Sequence, residues 1–172
     1  PRSTVDRIDY SNDTATASPK GPLSSARGQF AATGNADFGY FGGGGTAPAK
    51  STVDRIDYSS DTGTTPTKGP LSVARGSLAA TGNASFGYFG GGGSKSTVDR
   101  IDYSNDTATA AAKGPLSVNR QYLTATSSRA NAMPLKGPGI LEVPVSFGAF
   151  SVSNPQGTDF GYFGGGGPAP KS

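Results

Sequence analysis

The chain has 172 residues, a net charge of +3, no cysteine and no histidine. Without cysteine there is no disulfide framework or thiolate site, and the fifteen Lys and Arg are spread along the chain in a way that argues against a nucleic-acid groove. With 33% hydrophobic residues, 27 Gly and 13 Pro, it suits short strands and many turns, not a helical bundle with a thick aliphatic core. The string FGYFGGGG at residues 38–45 returns at 86–93 and 160–167, so the building block is a repeat with a period of 48 and then 45 residues (Ser3 to Ser51 to Ser96).

In chain order, residues 3–10, STVDRIDY, read as a strand with Val5 on one face and Ile8 and Tyr10 on the other. Both faces are partly apolar, which fits stacked sheets. Ser11, Asn12 and Asp13 form a turn, and residues 14–17 read as a short edge strand broken by Pro19 and Gly21-Pro22. Residues 23–33 carry Arg27 and then small side chains, as an innermost strand of a radial array requires. Gly34-Asn35 signals a hairpin, and residues 38–41 return from it. The four glycines that follow read either as a linker or as a place where only an absent Cβ lets backbones pass or φ turn positive. Recurrence at fixed phase favours the second. A phosphate loop is disfavoured, because no GKS or GKT and no helix start follows.

The second unit copies the first. The third keeps phase through Arg120 and Leu123, then takes an insertion of 29 residues, since Arg75 to Phe86 spans 11 and Arg120 to Phe160 spans 40. The repeats therefore divide the chain at 1–50, 51–95 and 96–172, with the insertion at about 127–157. Within it Leu141, Val143, Val145 and Phe147 alternate at period two, which predicts an edge strand or hairpin that contacts a partner.

Read from the arginine onward, GPLSSARGQFAATGN, FGYFGGGG, STVDRIDY and SNDTATA resemble the kelch repeat of β-propellers. There an arginine opens the inner strand, a glycine pair ends the second, and a valine-rich strand ends in tyrosine and aspartate. The resemblance places Arg27, Arg75 and Arg120 at the structural arginine, and implies an all-β propeller segment with four short antiparallel strands per blade. The outer-strand tryptophan of the family is absent, and Asp9 precedes Tyr10 where the family has the reverse order. The strings STVDRIDYSNDTATA and TGNxxFGYFGGGG also resemble repeat regions of virion structural proteins of tailed phages infecting cyanobacteria. A chain that opens on a third strand and ends after a second makes three blades, below the usual four to eight. It would be part of a longer array or one share of a ring completed by another copy.

The aspartates at positions 6, 9 and 13 and their repeats suit strand-edge pairing and turn capping better than calcium, which needs oxygens converging from one loop. Carboxylates repeated in every unit do not single out one catalytic pair. Copper radical oxidases built on kelch propellers are similar in fold alone, because a chain without His or Cys lacks their copper ligands. The three arginines are expected to bridge adjacent blades to carbonyls or to the aspartates, the alternative being a ligand-binding ring around the axis. Tyr40, Tyr88 and Tyr162 offer one face to the core and another to carbohydrate stacking. Asn12, Asn83 and Asn105 are glycosylation sequons whose residues are also ordinary in turns. The expectation is a non-enzymatic structural and adhesive module of an extracellular particle, with a phage virion tail or fibre favoured. Its expected partners are other copies or subunits and cell-surface carbohydrate, with no cofactor, nucleic acid or membrane insertion. The alternative is a secreted or cell-surface repeat protein that polymerises into a fibril.

Overall fold

A computed structural model describes residues 1–45, 48–127 and 160–167. Among these the chain is all-β, with twelve strands in four antiparallel sheets. The strands are β1 (Val5–Arg7), β2 (Ser18–Lys20), β3 (Ala31–Gly34), β4 (Phe38–Gly42), β5 (Val53–Asp57), β6 (Thr67–Lys68), β7 (Ala79–Gly82), β8 (Phe86–Gly90), β9 (Val98–Asp102), β10 (Ala111–Lys113), β11 (Gln121–Ser127) and β12 (Gly161–Gly167). Two sheets have four strands, β3-β4-β5-β6 and β7-β8-β9-β10; two have a pair each, β1-β2 and β11-β12. Each four-stranded sheet straddles a repeat boundary, taking two strands from one unit and two from the next.

The pairing is the same in each unit because the residues are. In β4, Phe38 faces Asp57 and Gly42 faces Val53; in β8, Phe86 faces Asp102 and Gly90 faces Val98. Asn35 and Asn83 close the inner hairpins, each side-chain oxygen accepting the backbone N–H groups of the two residues before and at the return strand. Despite the insertion, Thr124 faces Gly164, Ala125 faces Phe163 and Ser127 faces Gly161, the register of Ala79, Ala80 and Gly82 in the second unit.

The sheets stack through their glycines. A Cβ on Gly42 would lie 2.6 Å from the Phe89 ring, and one on Gly90 would lie 2.7 Å from the Phe163 ring. The aromatic of each sheet thus seats on the bare backbone of the preceding one. Beyond it the chain turns at positive φ, +71° at Gly43 and +65° at Gly91, and the Gly44 and Gly92 N–H groups donate to the carbonyls of Arg75 and Arg120. The inner strands β3, β7 and β11 lie side by side, β7 in the middle. The core gathers Tyr40, Val53, Leu71, Leu78, Phe89, Ile101 and Ala110 between the two complete sheets. Val53 and Ile56, on opposite faces of β5, are both buried, as expected of strands covered on two sides.

Three expectations are corrected. The inner strand is not residues 23–33 but Ala31–Gly34, since Gln29 takes φ +57° and the Arg27 backbone pairs with Arg2. The first edge strand is Ser18–Lys20 rather than residues 14–17, and contains Pro19, which an edge tolerates. In the first unit Ile8 and Tyr10 do not pack: they are 56% and 93% exposed, whereas their successor Ile56 is 8%.

Candidate functional site

The polar residues held at fixed phase form two interlocking series. Arg27 and Arg75 reach their places through the KGPLSxxR loop, and their side chains turn into their own sheet. The Arg75 guanidinium donates to Asp99 at 2.8 Å, to the Phe89 carbonyl at 2.9 Å and to the Gly91 carbonyl at 2.8 Å. Asp99 also accepts from the Ser72 hydroxyl at 2.6 Å and the Ser72 N–H at 3.0 Å. Arg27, Asp54, Phe41 and Ser24 repeat that arrangement, except that the Arg27 Nε has no partner among the described residues. The side chains were expected to bridge adjacent blades. They do reach carbonyls and aspartates, but within their own sheet, and it is the backbone that joins neighbouring units, with the Arg75 N–H and C=O bonded to Lys50 and Gly44 of the preceding one. Both arginines are buried, which removes the alternative of an axial ligand-binding ring built from them.

The second series joins one sheet to the next. Asp106 accepts Arg55 at 2.7 Å, Lys68 at 3.3 Å and the Tyr40 hydroxyl at 3.0 Å. Asp61 accepts Arg7 at 2.8 Å and Lys20 at 3.3 Å. Burial, then the Asp106 carboxylate, raises the Tyr40 hydroxyl above the ordinary phenol range. Tyr40 stacks on Tyr103, with centroids 4.8 Å apart, and burial pushes the Tyr103 hydroxyl up to about 12. A fully buried Tyr40 leaves no face for carbohydrate.

The second aspartate of each set caps a turn. Asp9, Asp57 and Asp102 accept the hydroxyl and N–H of Ser11, Ser59 and Ser104, and these bonds, the hydroxyl's first, lower their pKa values. The repeated aspartates therefore divide into a buried arginine partner, a turn cap and an inter-sheet acceptor. Among the described residues no three His, Cys, Asp or Glu side chains converge as a cation site needs. Phase marks the three as separate positions, but the arginine and tyrosine partners that tell them apart lie 24 to 66 residues away.

The inner strands border a cleft of about 390 Å³ lined by Thr33, Asn35, Tyr58, Thr81 and Thr126 among others, with no charged side chain. Thr33, Thr81 and Thr126 are equivalent in the repeat. Thr33 bonds the Tyr103 hydroxyl, and the buried Thr81 hydroxyl has no partner among the described residues. Such a lining can hydrogen-bond a neutral polar group but offers no charge for an anion or cation.

Of the sequons, Asn12 and Asn105 are exposed, each accepting the hydroxyl of the Thr two residues on. Asn83 is half-buried and spends its side-chain oxygen on the hairpin, as Asn35 does without a sequon. Leu141, Val143, Val145 and Phe147 lie outside the described residues. Arg120 is half-buried, and its Nε has no partner among the described residues.

No protein-family profile matches the chain, and no curated protein matches it. Among solved structures the chain is similar to a novel fungal alcohol oxidase of the AA5 family with catalytic diversity, in complex with copper, at 14% identity and a TM-score of 0.53. The match covers 64% of this chain and 27% of the oxidase, so the chain spans about a quarter of its length. The likeness is one of fold. Copper does not fit this chain's donors, because imidazole and thiolate ligands are lacking throughout its sequence.

Proposed function

We propose that this chain is a non-enzymatic structural module, three kelch-like repeats forming a segment of a β-propeller, in an extracellular particle. The observation that carries the reading is the Phe89 ring seated on Gly42 and repeated as Phe163 on Gly90, with β3, β7 and β11 side by side. A repeated sheet-on-sheet contact of this kind generates a radial stack. The fold likeness to part of a larger oxidase supports the same arrangement of sheets. Each repeated aspartate of the second and third units is committed to an arginine, a serine or a tyrosine, which suits a scaffold, and a chain without His or Cys lacks the imidazole base and the thiolate nucleophile. The string likeness to repeats of phage virion proteins favours a tail or fibre as the particle, with carbohydrate on the host surface as its target.

The test is a low-resolution projection of the assembled protein. Discrete rings with a central channel are expected. Periodic filaments without a channel would instead favour the fibril-forming surface protein, since a head-to-tail contact whose rotation does not close propagates indefinitely.

A further inference from the structure

We propose that β1 and β2 of a second copy of this chain add to the open edge of β12, completing β11-β12 as a four-stranded sheet in which Asp6 of the partner subunit accepts the Arg120 guanidinium. The inference rests on the repeat-module reading above and specifies the partner and the surface.

By repeat phase β1 is equivalent to β5 and β9, and β12 to β4 and β8. β4 carries β5 on its outer edge and β8 carries β9, whereas β12 has no outer neighbour among the described residues. Every repeated contact that spans this junction in the complete sheets stands half-made at the two ends. Arg27 and Arg75 each hold an aspartate of the third strand; Arg120 holds none among the described residues. Asp6, the equivalent of the fully buried Asp54 and Asp99, is exposed and without a side-chain partner among them. Ser117 stands where Ser24 and Ser72 donate to that aspartate.

The second series is open at the same two ends. Arg55, Lys68 and Tyr40 converge on Asp106, but their successors Arg100, Lys113 and Tyr88 have no aspartate among the described residues. The equivalent acceptor, Asp13, lies exposed in the loop between β1 and β2. One docking satisfies both series. A Cβ on Gly21 or Gly69 would collide with the carbonyl of Gly63 or Ala108, yet Gly114, next in phase, has nothing within 4 Å. Ala15 of the partner subunit is the residue whose carbonyl would occupy that space. Apolar surface agrees: Leu23 and Leu71 are buried while Leu116 is only half-buried, and Ile8 is 56% exposed where Ile101 is 3%. The described strands of one chain amount to three sheets of four, and those of two copies to six, a number of sheets at which propellers close.

The mass of the purified chain, measured by light scattering over a range of concentrations, is expected to show self-association. Asp6→Arg and Arg120→Asp should each weaken it roughly thirtyfold or more, and the double exchange, which restores opposite charges across the junction, should recover most of it. Gly114→Ala should weaken association without lowering the melting temperature of dilute protein. Monomers at every concentration, association indifferent to Asp6→Arg, or a double exchange no better than the singles would each overturn the composite sheet. Hydrogen exchange on the same samples reads the stacking separately. Protected β4 and β8 amides in a monomer sink this inference alone, and unprotected ones sink the stacked-sheet reading itself.

Discussion

Arg75 and Asp99 meet at 2.8 Å with neither side chain exposed, and every side-chain hydrogen bond the pair makes is to its own sheet or loop. Two charges withdrawn from water are stable only while each has its partner. Arg75→Met, which strands the carboxylate, should cost about 3 to 5 kcal/mol in urea denaturation. Arg75→Met combined with Asp99→Leu should cost less than the single change. A double variant worse than the single would mean that the stranded carboxylate is not what costs stability.

Phe89 is fully buried, and its ring lies where a Cβ on Gly42 would be. Phe89→Ala opens a cavity between the sheets and should cost about 3 to 5 kcal/mol. Gly42→Ala overpacks the same contact and should cost about 1 to 3 kcal/mol. Gly164→Ala, at the equivalent place with nothing within 4 Å, should change the stability of dilute protein by less than about 0.5 kcal/mol. Equal effects at Gly42 and Gly164 would remove the stacking argument.

Burial holds the Tyr103 hydroxyl protonated up to about 12, and raises Tyr40 as well, burial again being the larger cause and Asp106 the next. A phenol raised above its unfolded value contributes stability that is whole below about pH 10 and is lost as pH rises through the folded value. Melting temperature should therefore fall between pH 10 and 12, together with a late phenolate absorbance change. Tyr103→Phe should flatten that fall, although it also removes the hydrogen bond to Thr33.

The third inner hairpin keeps the register of the second across 33 intervening residues, 128–160 between β11 and β12, where only 83–85 separate β7 from β8. Replacing residues 128–160 by Asn-Ala-Ser-Phe, the sequence at 83–86, should therefore leave a folded protein with unchanged strand content by circular dichroism. Loss of the β11 and β12 amide protection would mean the register depends on the inserted segment.

The repeat, the strand at each VDRID, the hairpins at Gly34-Asn35 and Gly82-Asn83, and the bare glycine backbone were all legible, because each is a local preference written at a fixed phase. Local pattern overextended the inner strand and placed the first edge strand too early, since strand limits are set by which backbone groups find partners across sheets. Sequence alone determined that no imidazole or thiolate chemistry is available, as no later folding can supply a missing side chain. Only the tertiary structure decided which aspartate serves which arginine. Asp54, Asp57 and Asp61 are the same residue type within eight positions, yet one is sealed against Arg27, one caps a turn at Ser59 and one reaches Arg7 and Lys20 of the neighbouring sheet. Those fates follow from pairing within a sheet and from face and exposure after stacking, which together join residues 27 to 54 positions apart that no local pattern relates.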